Sequence, residues 1–319
     1  MLIENPEDIR LAMIGMVQGN GHPYSWSAII NGDYDAGAMA ACGYPAIPDY
    51  LGAEPPEALG IPGVRVSHVY CEDPAEAAGV AKAACIAHVV ARPEDVLGEV
   101  DGVIISTDIG GEHVERARPF IDAGLPLFID KPLCDNEADL AQFIAWQESG
   151  HAFLSTSCMR YAKEFQELQE QFSVLGEPRL ITVTMAKSWE RYGIHALEAV
   201  YPFCRAGGYR SVTHAGTTAD NVMHLDHEDG ATVLLNVFAD LTAAFGHVNV
   251  YGSKASAKAQ FSDTFSAFKR QLEVFVAYLR TGETPFAFAE TIEQMKIIIA
   301  GIRSREAGGK TIDLSDIKG

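Results

Sequence analysis

A lysine that follows a short apolar run is the residue of this sequence that most directly suggests chemistry. Residues 127–129 are apolar and are followed by Asp130, Lys131 and Pro132. Such a run predicts a buried strand of a parallel sheet, and open α/β sheets bind ligands beyond the carboxyl ends of their strands. An ammonium at that edge could stabilise negative charge that develops on an oxygen. A solvated lysine in an ordinary turn is the alternative.

A glycine-rich segment near the start of the chain has the composition of a phosphate-binding turn. Gly15 ends an apolar run at 10–15, and Gly19 and Gly21 precede a helix-compatible run at 24–31. In dinucleotide-binding folds, glycines let the backbone approach the pyrophosphate, and the N-terminus of the next helix faces its charge. The spacing departs from G-x-G-x-x-G, so an ordinary strand–helix turn remains the alternative.

Two acids follow the next predicted strand, which covers 64–71. Glu72 and Asp73 stand where a carboxylate can hydrogen-bond a ribose 2′-hydroxyl and would repel a 2′-phosphate. No arginine follows them, so the pattern favours NAD over NADP. Asp73 could instead cap the helix predicted over 75–85, which would leave Glu72 for the ribose.

The elements that would position these groups alternate along the first half of the chain. Repeated β–α units predict a doubly wound parallel sheet over residues 1–150. The further predicted strands lie at 88–90, 100–107 and 127–131, and the further predicted helices at 92–97, 113–123 and 135–149. The stretch 32–63, rich in Gly, Ala and Pro, is interpreted as an insertion beside the nucleotide site.

The second half, residues 151–319, is predicted to form an α+β domain. Its β-rich runs are joined by tight turns, which predicts a mostly antiparallel open sheet. These runs lie at 180–187, 212–218, 223–227 and 232–238. A helix predicted over 192–203 would pack on this sheet and carry His195 and Glu198 on one face. The fold class is therefore α/β with a second domain. We expect that the final helices of the chain can pack against the first domain.

Composition and charge exclude several classes of function. The net charge is −19 without a basic stripe, which disfavours nucleic acids and anionic membranes. No apolar run reaches the length of a membrane span, no secretory signal is visible, and the six cysteines form no CxxC pair. We therefore expect a cytoplasmic protein with reduced thiols. His224 and His227 flank Asp226, but alternation along a strand separates neighbouring side chains, so no metal site is expected.

Several segments in order resemble the Gfo/Idh/MocA oxidoreductase family. They are the strand at 100–107 ending in Thr107, then His113, and then Asp130-Lys131-Pro132, where the family usually has Glu-Lys-Pro. Segments 157–161, 192–198, 248–253 and 268–309 resemble later parts of the same family. The resemblance implies an N-terminal Rossmann domain, a nicotinamide cofactor and oxidation or reduction of a sugar or polyol. It also implies a homo-oligomer, a dimer or tetramer, that packs through the C-terminal sheet.

The resemblance also implies roles for individual residues. Lys131 and His195 would lie at the nicotinamide end of the cleft, the lysine as a donor to the substrate oxygen and the histidine as a base. A structural helix histidine is the alternative for His195. The candidate cofactor-binding residues are Gly15, Gly19, Gly21, Glu72, Asp73, Thr107, His113, Asp130 and Pro132; the candidate substrate-binding residues are Arg160, Lys187, Trp189, Arg191 and Tyr192.

Two departures from the family bear on the substrate. The family commonly has an aspartate four residues before the histidine, where this chain has Arg191. Arginine accepts no hydrogen bond but can grip a carboxylate or phosphate, so we hypothesise an altered substrate such as an acidic sugar derivative. The chain from Lys187 to His195 is also short, so the site is expected to be more open or to be completed by Trp189, Tyr192 or a neighbouring subunit.

Two other functions remain open from the sequence. A non-catalytic relative could sense a nucleotide or sugar through the same fold, which the irregular glycine segment and Arg191 would favour. An enzyme that retains its NAD could instead recycle it in place while performing epimerisation or elimination.

Overall fold

Two β-sheets organise the chain, and the computed structural model describes all 319 residues. The helices are α1 His22–Asn31, α2 Ala36–Ala40, α3 Ala46–Gly52, α4 Pro74–Ala83, α5 His113–Asp122, α6 Glu137–Glu148, α7 Lys163–Glu170, α8 Phe172–Leu175, α9 Trp189–Val200, α10 Thr264–Thr281 and α11 Phe288–Glu306. The strands are β1 Ile9–Ile14, β2 Val64–Tyr70, β3 His88–Val89, β4 Gly102–Ile105, β5 Leu127–Ile129, β6 Phe153–Leu154, β7 Pro178–Ala186, β8 Tyr209–Gly216, β9 Asp220–His227, β10 Thr232–Phe238, β11 His247–Gly252, β12 Ser256–Gln260 and β13 Ile312–Asp313.

The first sheet is parallel throughout and has the strand order β3-β2-β1-β4-β5-β6. The predicted doubly wound sheet is thereby confirmed. Every residue of β4 and β5 is buried, which explains why both strands are continuous apolar runs in the sequence. The strand order reverses between β1 and β4, and such a reversal opens a crevice at the carboxyl edge of the sheet.

The second sheet has seven strands in the order β12-β11-β7-β10-β9-β8-β13. Only β7 and β10 run parallel, so the predicted mostly antiparallel sheet is confirmed. In β10, Val233, Leu235 and Val237 are fully buried while the residues between them are only partly covered. This alternation shows that one face of the sheet packs on helices, which are α9 and α11.

Helix α10 returns from the second half of the chain to the first sheet. Its residues Leu272 and Phe275 belong to the same buried cluster as Trp26 and Phe128. The start of the chain is tied to this helix, because the amide of Leu2 donates to the carbonyl of Leu279 at 3.0 Å. Helix α10 therefore fixes the orientation of α1, against which it packs.

The segment 32–63, interpreted from the sequence as an insertion, contains short helices. It contains α2, α3 and a short turn of 3₁₀-helix at Pro56–Ala58. Helix α3 packs against α1 and α10 and brings Ile47 and Tyr50 toward the carboxyl edge of the first sheet. None of the helices is long and apolar enough to cross a membrane.

Candidate active site

Lys131 lies immediately after β5, at the carboxyl edge of the first sheet, and its side chain is only 2% exposed. Its Nζ is 3.3 Å from Oδ2 of Asp108 and 4.8 Å from the centre of the Tyr192 ring. Burial alone would lower the pKa of Lys131, but the carboxylates of Asp130 and Asp108 raise it above its ordinary value. The group is therefore a buried ammonium, suited to stabilising negative charge rather than to accepting a proton.

Arg191 forms a bidentate ion pair with Asp108. Its Nη2 donates to Oδ1 at 2.6 Å and its Nε donates to Oδ2 at 3.1 Å. Burial would raise the pKa of Asp108, but Lys131 and Arg191 hold it well below its usual range. Asp108 thus places a carboxylate, from the end of β4, between Lys131 and Arg191. Two nitrogens of the Arg191 guanidinium already hold Asp108, which bears on the hypothesis that Arg191 grips an acidic substrate but does not test it.

His195 lies on α9 and is 5% exposed. Its Nδ1 is 2.6 Å from the hydroxyl of Ser157, and its ring packs edge-on against Tyr192 with 4.9 Å between the ring centres. Burial, together with the charge of Lys131, lowers the pKa of His195 well below its ordinary value. The imidazole is accordingly neutral at neutral pH. Helix α9 begins at Trp189 rather than at the predicted 192, so Arg191, Tyr192 and His195 share one helix.

Asp130 is fully buried and joins the glycine-rich segment to the edge of the sheet. Its Oδ1 accepts from the amide of Lys131 at 2.7 Å. Its Oδ2 accepts from Nδ2 of Asn20 at 3.0 Å and lies 2.6 Å from Nδ1 of His22. Because His22 is the first residue of α1, this contact also fixes where that helix begins.

A cavity of about 300 Å³ opens beside these groups. Its lining includes His22, Tyr44, Tyr50, Tyr192 and Phe268. The lining therefore comes from the segment 15–23, from the region of α3, from α9 and from α10. The lining combines these aromatic rings with a few polar side chains, such as Asn20 and Ser25, which is the usual composition of a small-molecule site.

The crevice between β1 and β4 has features that suit a phosphate-bearing ligand. A Cβ on Gly15 would lie 2.7 Å from Cγ2 of Thr107 and 3.1 Å from Nη1 of Arg116, so only glycine fits there. Arg116 on α5 forms an ion pair with Glu72, whose other oxygen accepts from the amide of Met16 at 3.0 Å. Burial would raise the pKa of Glu72, but these donors lower it. The hydroxyl of Thr107 is buried and has no hydrogen-bond partner in the protein.

Other residues that the sequence suggested for ligand binding have partners within the protein. The carboxylate of Asp73 accepts from the amide of Ala75 at 2.8 Å, so it caps α4 instead of facing a ribose. The ring nitrogens of His113 lie 2.9 Å from the carbonyl of Thr107 and 3.1 Å from that of Leu133. These contacts tie the ends of β4 and β5 together.

Two of the suggested substrate-binding residues also face away from the cavity. Trp189 is fully buried in the core, where its Nε1 donates to the carbonyl of Ile298 at 3.0 Å. Arg160 donates to Glu198 at 2.7 Å and to Glu290 at 2.9 Å, so its charge is already neutralised. Both positions therefore act as internal supports of the second domain.

The remaining suggested residues stay near the cleft. Lys187, whose φ of 70° lies in the left-handed region, directs its ammonium to the hydroxyl of Tyr192. Gly19 has open space around it, and Gly21 packs closely against Tyr44 and Ile47. The peptide bond between Lys131 and Pro132 is cis.

Sequence reasoning missed Asp108, His22, Asn20, Ser157 and Arg116. Asp108 had a usable signal, because it stands three residues after a strong apolar run, at the edge where ligands bind. His22 and Arg116 had no such signal in the sequence, because Asp130 and Glu72, with which they pair, are distant along the chain. No group of three or more His, Cys, Asp or Glu side chains is arranged to hold a metal ion.

Comparison with known proteins identifies the fold. No protein-family model matches the sequence, and no curated protein sequence is similar enough to match it. Among solved structures, a probable dehydrogenase from Thermotoga maritima has 15% identity and a TM-score of 0.73, over 97% of this chain and 100% of that chain. The chain has the fold of this dehydrogenase.

Two further structures of the same fold contain ligands. The scyllo-inositol dehydrogenase from Lactobacillus casei with bound NAD(H) and scyllo-inositol has 13% identity and a TM-score of 0.71, over 97% of this chain and 100% of that chain. The myo-inositol dehydrogenase from Lactobacillus casei in complex with NAD(H) and myo-inositol has 13% identity and a TM-score of 0.71, over 96% of each chain.

Proposed function

We propose that this protein is an oxidoreductase of the Gfo/Idh/MocA type that transfers a hydride between a nicotinamide dinucleotide and a hydroxyl or ketone of a polyol or sugar. The observation that carries the proposal is the buried ammonium of Lys131, which lies at the carboxyl edge of a parallel sheet and in the same cleft as the imidazole of His195. A buried charge of this kind is costly to maintain and is concentrated at functional sites.

A nicotinamide dinucleotide fits the residues at the crevice between β1 and β4. Gly15 has no side chain to keep a ligand from the backbone, and the guanidinium of Arg116 lies beside it, paired with Glu72 and Glu112. The hydroxyl of Thr107, which also adjoins Gly15, has no hydrogen-bond partner in the protein. Glu72 is the acid suited to a ribose, which favours NAD over NADP. The dinucleotide would supply the hydride acceptor when bound.

The protein groups supply the rest of the chemistry. Lys131 donates to the substrate oxygen and stabilises the charge on it as the oxygen changes between alcohol and carbonyl. A neutral imidazole in the cleft, where His195 lies, can exchange the hydroxyl proton. Asp108 holds the ammonium in place and, through Arg191, ties the first sheet to α9.

The cavity supports a polyol or sugar as the substrate class. Aromatic rings such as Tyr44, Tyr50 and Tyr192 would pack against the C–H faces of a ring, while polar side chains of the lining such as Asn20, His22 and Ser25 would receive its hydroxyls. Inositols occupy two dehydrogenases of this fold, which makes cyclic polyols the first compounds to test.

The second sheet also bears on assembly. Its face opposite α9 carries partly covered residues such as Leu234 and Phe238, and Tyr251 is 46% exposed. We propose a dimer or tetramer that packs through this face. Sedimentation equilibrium of the purified protein tests it, since a monomer at micromolar concentration would contradict this arrangement.

A nicotinamide absorbance assay over inositols, sugars, other polyols and uronates tests the function. We expect NAD-dependent turnover, and we expect Lys131→Met to lower kcat by about 10²–10³-fold, as loss of an oxyanion donor does. Lys82→Met, an exposed residue near the end of α4, is the matched control. Absence of both NAD binding and turnover would favour the sensor function, whereas nicotinamide absorbance in the purified protein would favour a retained cofactor.

A further inference from the structure

His22 lines the aromatic cavity from the first half of the chain, opposite Tyr192, whose ring packs against His195. It is the first residue of α1, its side chain is 15% exposed, and it lines the aromatic cavity together with Tyr192. Its ring stacks on Trp26 with 4.1 Å between ring centres and meets the edge of Phe268 at 5.2 Å. These contacts hold the ring in one orientation although its edge reaches the cavity.

Asp130 determines which nitrogen of this ring carries the hydrogen. The Oδ2 atom of Asp130 lies 2.6 Å from Nδ1 of His22, and the same carboxylate accepts from Asn20 and from the amide of Lys131. A carboxylate accepts hydrogen bonds only, so Nδ1 must be the donor. The lone pair then lies on Nε2, which has no partner in the protein. An imidazole oriented by a buried carboxylate is the arrangement that general bases use.

The two histidines of the cleft lie beside groups of opposite charge. A general base carries an extra proton once the hydroxyl has lost it. Burial and the ammonium of Lys131 disfavour that charge on His195 and lower its pKa. His22 has a carboxylate in direct contact, and Asp108 also lies within electrostatic range of it.

We propose that His22, oriented by Asp130, is the catalytic residue that exchanges the proton of the substrate hydroxyl. This inference rests on the proposed function. In oxidation, the O–H bond breaks and its proton passes to Nε2 of His22, while the C–H hydrogen leaves with its electron pair to an oxidised nicotinamide dinucleotide. The carbonyl oxygen stays on Lys131, and the imidazolium releases the proton to water through the open side of the cavity. His195 then serves as a neutral hydrogen-bonding group, and Asp130 is a positioning residue.

Nitrogen-15 NMR of histidine-labelled protein tests the arrangement without requiring activity. We expect the His22 ring to be in the Nδ1–H form in the wild type, and its Nε2 signal to shift when myo-inositol is added. Asp130→Asn is expected to change that tautomer, because an amide can donate to Nδ1. An Nε2–H form without Nδ1–H in the wild type would overturn the proposal whether or not the protein is active.

Kinetics of His22→Gln provide the second test. We expect kcat to fall by about 10²–10⁴-fold, the usual contribution of a general base, while the affinity for NADH measured by fluorescence stays within about threefold. His88→Gln, on the far edge of the first sheet, is the matched control and should retain kcat. If the wild type oxidises polyols and His22→Gln does so equally well, the catalytic role of His22 is refuted while the proposed function stands. If the wild type neither binds NADH nor turns over, the proposed function fails separately.

Discussion

The ion pair between Asp108 and Lys131 should be one of the strongest couplings in the protein. The two side chains are 1% and 2% exposed, and Nζ and Oδ2 are 3.3 Å apart. At an effective dielectric constant of about 20, unit charges at that distance attract by about 5 kcal/mol, and removing one partner of a buried pair typically costs about 3–5 kcal/mol. We therefore expect Asp108→Asn and Lys131→Met each to lower the free energy of unfolding by about 3 kcal/mol.

The double variant separates this coupling from the effects of each side chain alone. Once Asp108 is changed, Lys131 retains Asp130 and Arg191 loses its main partner, so the two losses should not add. We expect the double variant to lose about 2–3 kcal/mol less than the sum of the single losses, which is the upper range for groups in contact. Urea unfolding at neutral pH measures this, with the slope m compared across variants to check that the unfolding transition is unchanged.

An exposed pair provides the control. Arg65 and Asp8 are 53% and 55% exposed, and their coupling should stay below about 1 kcal/mol. If the Asp108 and Lys131 losses add to within about 0.5 kcal/mol, the two groups do not interact as the structure shows. The reasoning about the cleft would then be refuted, because Lys131 would not depend on Asp108 for its charge.

Three further predictions concern the same cleft. The free energy of unfolding should fall as pH decreases below about 6.5, because His195 binds a proton there in the unfolded chain but not in the folded one, where its pKa is well below its ordinary value. His195→Gln should reduce this loss, which urea midpoints at pH 7.5 and 5.5 would measure. An unchanged pH dependence in His195→Gln would contradict this prediction. Arg116→Met should weaken NADH binding by about tenfold in a fluorescence titration, or about 1.4 kcal/mol, whereas Arg118→Met, which lies over Trp146 on the same helix, should not. Arg191→Ala should lower turnover of neutral and acidic sugars to the same extent, since its fork holds Asp108; a loss confined to acidic sugars would support the acidic-substrate hypothesis.

The architecture was predictable because local sequence patterns determine it. Buried parallel strands are continuous apolar runs such as 127–129, and a strand with one covered face alternates as β10 does. Both patterns can be recognised without knowing which distant residues a strand will contact. The same local rule placed Lys131 at the carboxyl edge of the sheet, where the structure has it. The sequence also left Asp73 open between a ribose and a helix cap, and a contact only two residues away decides for the cap.

The partners of the site residues depend on the tertiary structure alone. Asp108 meets Lys131 because β4 and β5 are neighbours in the sheet, and it meets Arg191 because α9 of the second domain closes over that edge. His22 reaches Asp130 across 108 positions of the chain. Strand order and domain packing determine the distances between these side chains. The hydrophobic periodicity of the sequence gives neither the strand order nor the domain packing. The sequence by itself therefore determined the fold and the location of the cleft, while only the folded chain decided which charges neutralise one another there.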